Sequence, residues 1–298
     1  MENKDAVARN RLDRALQSAP FKRFAGIQRL GPDRSGHASV EHVRHQLYMA
    51  RDTRTRANAL IKVLTKPGLV YEHNLTNEVA TLSTINRNLP DSRYFPLLWD
   101  HGRLPDGRVF LIMSLFDEWP LATTIGPERM PHRLVGHLKT TLEVAKALAD
   151  LHGLRIFHVD LNPMNILYRV EQGRPVIRIV DFESSYEVAR HSNGVVYNPP
   201  TTPGFCAPEV LDGSVPDGRA DVFSLGAVLY TQIAGYGWTW DAGMPARIEA
   251  DAEVDADLRT ILLTAVERDA DRRYQSIEEL SAALAAYLES IWPGRSWA

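Results

Sequence analysis

The sequence predicts an α+β fold: a small β-rich lobe joined to a larger α-helical lobe. Two observations carry that reading. Strand-like segments fill residues 24–63, with a polar turn at Asp52–Arg56 before Ala59-Leu60-Ile61-Lys62-Val63-Leu64. Helical patterns dominate the second half, at 131–151, 221–233, 258–266 and 276–291. Strands first and helices later is the order of an α+β arrangement. The 298 residues suffice for one large domain or two lobes with sizeable cores.

Residues 5–17 (DAVARNRLDRALQ) set Val7, Leu12 and Leu16 among charges, which predicts a short amphipathic helix, solvated and packed on the domain in preference to touching an acidic membrane surface through its arginines. Residues 72–86 read as a helix and Val109–Leu115 as a buried strand. Val176–Asp181 is a further strand, leading into a loop rich in Ser, Asn, Pro and Gly. These elements divide the chain into a helical extension over 1–23, a domain over 24–290 and a tail over 291–298. Within the domain, the β-rich lobe spans 24–113, a hinge 114–119 and the helical lobe 120–290.

Composition narrows the function classes. A net charge of −3 gives no reason to expect nucleic acid as a partner. One cysteine, Cys206, excludes an internal disulfide framework and suits a reducing compartment. No stretch approaches the ~18 uninterrupted apolar residues of a membrane span. The first twenty residues, studded with Asn, Asp and Arg, hold no signal-peptide core. The expectation is a cytoplasmic protein with no transmembrane segment; the oligomeric state stays open.

The chemistry concentrates in His158-Val159-Asp160-Leu161-Asn162-Pro163-Met164-Asn165-Ile166-Leu167 and Ile179-Val180-Asp181-Phe182-Glu183. An aspartate, an asparagine five residues on and a second aspartate after a hydrophobic strand can make a magnesium–nucleotide site. One carboxylate orients a hydroxyl, while the carboxamide and the other carboxylate offer hard oxygens to Mg²⁺.

These residues resemble the protein kinase superfamily, whose catalytic loop reads H-R-D-L-x-x-x-N and whose metal motif reads D-F-G. The resemblance covers about residues 24–290 and is closest to bacterial Ser/Thr kinases. It implies a two-lobed protein-kinase-like fold, with Asp160 as catalytic base and Asn165 and Asp181 as metal ligands. Lys62, ending the strand ALIK, is implied to bind the α- and β-phosphates, held by Glu78 on the next helix. The implied nucleotide contacts fall on Leu30, Gly31, Gly36, Leu60, Lys62, Met113, Leu115 and Leu167. His158 and Phe182, with Leu82, match the family's apolar stack, so His158 is read as structural.

Three later segments strengthen the likeness. Thr202-Pro203-Gly204-Phe205-Cys206-Ala207-Pro208-Glu209 resembles the end of the activation segment, closing in A-P-E. Asp221-Val222-Phe223-Ser224-Leu225-Gly226 resembles the helix that anchors the catalytic loop. Arg272 is read as the arginine that pairs with Glu209. In this order they separate protein kinases from small-molecule phosphotransferases sharing the Asp…Asn…Asp core.

The chain also departs from the family pattern. Leu60 stands where alanine usually lies against adenine, and Asp33 replaces the second glycine of the phosphate loop. Val159 replaces the arginine that receives an activation-segment phosphate. Asn162 stands where Ser/Thr kinases have a lysine beside the moving phosphoryl group, with Arg34 a conceivable substitute cation. Glu183 replaces the D-F-G glycine; it is read as altering divalent preference, fixing the loop or simply facing solvent. Trp238 and Trp240, in a shortened stretch around 235–257, are read as a partner surface or as core.

The expected function is an ATP-dependent protein Ser/Thr kinase that uses Mg²⁺, with Mn²⁺ as an alternative ion. The rivals are a pseudokinase acting as a nucleotide-binding or protein-interaction module, and a small-molecule phosphotransferase.

Overall fold

A computed structural model of the chain describes residues 16, 20–30, 44–66, 68–126, 133–192, 197, 199–235 and 243–294. The helix expected over 5–17 (Leu16 apart), Gly31–Gly36 with Arg34, and Trp238 and Trp240 lie outside the described residues. The fold is α+β, and the chain forms two compact units. The first comprises residues up to Asn86 with Pro96–Asp117; the second takes Arg87–Phe95 and the residues from Glu118 onward.

The first unit is built on a five-stranded antiparallel sheet. Its elements are β1 (Phe24–Arg29), β2 (His45–Asp52), β3 (Asn58–Leu64), helix α1 (Leu69–Asn88), β4 (Leu98–Arg103) and β5 (Val109–Ser114), with strands ordered β1-β2-β3-β5-β4. Successive strand side chains face opposite ways. Ala59, Ile61 and Val63 therefore share the face that joins Tyr48, Ala50, Phe110 and Ile112 in a core closed by Leu16, Phe21 and Phe24. Leu60 and Lys62 take the other face, in register with Met113 and Leu111. The predicted polar turn follows β2: the Asp52 carboxylate accepts from the Arg54 N–H at 2.8 Å and the Thr55 hydroxyl at 3.0 Å.

The second unit carries β6 (Trp119–Pro120), α2 (Leu134–Gly153), β7 (Ile156–Phe157), β8 (Ile166–Glu171), β9 (Arg174–Ile179), β10 (Tyr186–Glu187), α3 (Val188–His191), α4 (Pro208–Leu211), α5 (Gly218–Ala234), α6 (Met244–Ala250), α7 (Ala256–Ala265) and α8 (Ile277–Ile291). Strands β6, β8 and β9 form one small sheet and β7 and β10 a second. Helix α5 is apolar almost all round and is buried along most of its length, as such a helix must be. Gly226 lets α7 approach closely, since a Cβ there would sit 2.7 Å from that of Ala265. Arg87–Phe95 joins this unit through the Ile179 N–H to the Tyr94 carbonyl (2.8 Å) and through Phe95 edge-on to Phe182. Among the described residues no helix is long and apolar enough to cross a membrane.

Candidate active site

In the first unit the candidate phosphate anchor is an ion pair. Helix α1 buries Leu75, Glu78, Val79, Leu82 and Ile85, a stripe at helical spacing that carries Glu78 inward. The Glu78 carboxylate accepts from Lys62 Nζ at 2.8 Å, with Lys62 6% and Glu78 0% exposed. A buried charge is costly without such a partner. Leu60 and Met113 lie directly across β3 and β5, and the Leu115 N–H donates to the Asn58 carbonyl at 2.9 Å. Leu30, just beyond β1, is half-buried and donates its N–H to the Leu47 carbonyl.

In the second unit the loop between β7 and β8 hangs on one fully buried carboxylate. Asp221, near the start of α5, accepts from the N–H groups of His158 (2.9 Å) and Val159 (2.8 Å), and its Oδ2 lies 2.9 Å from His152 Nε2. Burial works to raise the Asp221 pKa, but these partners, His152 foremost, hold it below the ordinary carboxylate value. The anchor keeps Val159 at φ 70°, a conformation that a β-branched residue rarely adopts. Asp181 is likewise left-handed, at φ 66°.

Around this anchor the polar residues converge. The Asn165 amide donates to the Asp160 carbonyl at 2.9 Å, and the Asn165 carbonyl accepts from the Val180 N–H at 3.0 Å, tying it to the residue before Asp181. That use of Nδ2 leaves Asn165 Oδ1 as the atom to offer a cation. The carboxylates of Asp181 and Glu183 lie within 4.8 Å of one another. A carboxamide oxygen and carboxylates form a hard donor set, which fits a hard divalent cation. Leu167 sits in β8, half-buried and in register with Pro120. The His158 ring lies tilted 57° to that of Phe182 with centroids 5.2 Å apart, and burial pushes its imidazole pKa below the ordinary value.

Several sequence-based readings change here. Glu183 does not face solvent: it is 5% exposed. Val159 is fully buried. The partner of Glu209 is Arg273, not Arg272. The Arg273 guanidinium makes two 2.7 Å bonds to the Glu209 carboxylate, donates to the Glu267, Arg268 and Arg219 carbonyls and lies over the Phe223 ring. Arg272 is exposed and lies 3.7 Å from Glu267. The turn Ala270–Arg272, capped by the Asp269 carboxylate, turns Arg273 inward.

Sequence reading also missed contacts that shape the segment after Asp181. Ser184 and Ser185 are buried and donate their hydroxyls to the Pro200 and Phe182 carbonyls. Tyr186, His191 and Tyr197 form a three-ring cluster with centroids 4.7–5.1 Å apart. The Ser224 hydroxyl holds the Phe205 carbonyl at 2.7 Å. The aromatic spacing at 186, 191 and 197 was the available signal. Cys206 is buried, which pushes its thiol up to about 12 and leaves it unreactive at neutral pH.

Known proteins resemble this chain. The family described as protein kinase domain matches residues 46–292. Ribosomal protein S6 kinase alpha-2 of Homo sapiens is 33% identical over 178 residues, covering 55% of this chain and 24% of that protein. Ribosomal protein S6 kinase 2 beta of Xenopus laevis is 46% identical over 94 residues, 31% of this chain and 15% of that protein. The chain thus spans a quarter or less of the length of these relatives. Among solved structures, the Mycobacterium tuberculosis PknI kinase domain superposes with a TM-score of 0.61 at 20% identity, over 88% of this chain and 96% of that one. At that identity the likeness concerns the fold: a β-sheet lobe and a helical lobe.

Proposed function

Because this chain belongs to the protein kinase domain family, we propose that it transfers the γ-phosphoryl group of ATP to Ser or Thr hydroxyls of proteins. The observation that carries the reading is the Asp160 environment. Its Oδ1 accepts from the Thr202 N–H at 2.7 Å, while its carbonyl is gripped by Asn165. A carboxylate so fixed can take or orient a hydroxyl proton. Lys62, held by Glu78, would anchor phosphates; Asn165 and Asp181 would hold Mg²⁺, with Mn²⁺ as an alternative. The metal, when bound, neutralises charge on the phosphates. The A-P-E segment, locked by Arg273, favours a protein substrate over a small molecule. With Val159 in place of the phosphate-binding arginine, turnover does not wait on activation-segment phosphorylation. A cytoplasmic location belongs to the same proposal, resting on the single, free and buried Cys206.

A nucleotide-binding pseudokinase is the second reading, favoured by one feature: Asn162 brings no positive charge to the site. Both readings require nucleotide binding, and ATP with Mg²⁺ is therefore expected to raise the melting temperature. Saturation a hundredfold above Kd corresponds to about 2.7 kcal/mol. Asp181→Asn should abolish the metal-dependent part of the shift. An unchanged melting temperature at saturating ATP and either metal contradicts both readings.

A further inference from the structure

Asn162 is 3% exposed, and each of its side-chain hydrogen-bonding groups is engaged. Its Oδ1 accepts from the Met164 N–H at 2.9 Å. Its Nδ2 donates to the Asp160 carbonyl at 3.0 Å and to the Thr202 hydroxyl at 3.1 Å. The orientation is fixed by chemistry, because a backbone N–H can only donate and so selects the oxygen.

Asn162 therefore sits at a junction of two strings of contacts. One runs within the loop, where Asn162 and Asn165 both donate to the Asp160 carbonyl. The other crosses to the activation segment: Asn162 holds the Thr202 hydroxyl, and the Thr202 N–H holds Asp160 Oδ1. Asp160, Asn162 and Thr202 close a ring of three contacts. Lysine could not repeat it. An ammonium has three donors and no acceptor, so Met164 N–H would lose its partner.

We infer that Asn162 is a positioning residue, which sets the Asp160 carboxylate and docks Thr202 through neutral hydrogen bonds rather than supplying charge to the phosphoryl group. This rests on the kinase reading above. The chain has then exchanged a cation for geometry, and restoring the lysine removes geometry.

The test compares the parent protein with Asn162→Ala, Asn162→Asp, Asn162→Lys, Thr202→Val and the Asn162→Ala/Thr202→Val double variant. Steady-state phosphoryl transfer is measured with ATP and a Ser/Thr peptide mixture, beside melting temperatures. Asn162→Ala is expected to lower kcat tenfold or more with KM for ATP unchanged. Asn162→Asp should fall further, since its carboxylate opposes the Asp160 carbonyl. Asn162→Lys should fall as well. The double variant should lose no more than the worse single one, because both break the same contact. Additive losses, a KM-only effect, or an Asn162→Lys protein as fast as or faster than the parent overturns the inference.

If the parent itself transfers no phosphate, the kinase reading fails on its own. The positioning claim is then judged by hydrogen exchange: Asn162→Ala should speed exchange in peptides covering 199–206 more than in the other peptides of the helical unit. Unchanged exchange there overturns it.

Discussion

Arg273→Ala is expected to cost about 2–3 kcal/mol of stability, through a partly buried ion pair and the carbonyls that lose their donor. The Arg273 side chain is fully buried, and its guanidinium bonds the Glu209 carboxylate and the Glu267, Arg268 and Arg219 carbonyls. Its removal leaves Glu209 without that cation and the carbonyls without that donor. The neighbouring Arg272 is the internal control. Its side chain is 71% exposed beside Glu267, and exposed pairs of this kind contribute little, so Arg272→Ala should change stability by less than about 0.5 kcal/mol. Urea unfolding followed by circular dichroism reads both. Equal effects of the two substitutions would return the structural role to Arg272 or deny it to either.

The second large effect is expected at Lys62. Methionine there keeps the length and removes the charge, leaving Glu78 buried without its 2.8 Å partner. Two losses follow, with different causes. Stability should fall by about 3–5 kcal/mol from the loss of the cation beside a buried carboxylate. Turnover should fall by roughly 10²–10³, as when one preorganised donor to a reacting group is removed. Glu78→Gln in the same chain separates them: the neutral pair should regain most of the stability and none of the turnover. Turnover recovering along with stability would mean that Lys62 only supports the fold.

Much of this was legible in the sequence. The α+β order followed from strand texture in residues 24–63 and helical periodicity beyond 131. Lys62 and Glu78 could be chosen because a strand-ending lysine and a glutamate on the following helix stood where the family pattern needs them, and in the structure they form an ion pair. Other features depend on partners far along the chain. Asn162 reads as a lost charge when compared letter by letter; its gain appears only with Thr202, forty positions away, beside it. Arg272 and Arg273 are adjacent, and only the Asp269-capped turn decides which enters the interior. Glu183 looks like a surface residue because glutamate is seldom buried, and nothing in its neighbours' identities announces that it is enclosed.

Phosphate transfer by this chain is expected to depend on Asp160. The direct measurement is incorporation of label from γ-labelled ATP into a Ser/Thr peptide mixture, with Mg²⁺ and with Mn²⁺, by the parent and by Asp160→Asn. Asparagine preserves the shape of the side chain and an oxygen for the Thr202 N–H while removing the base. The parent should transfer label and the variant should lose at least about 10²-fold, the lower end of a general-base contribution, with ATP binding retained. Equal transfer by both proteins, or none by a parent that demonstrably binds ATP, would contradict it.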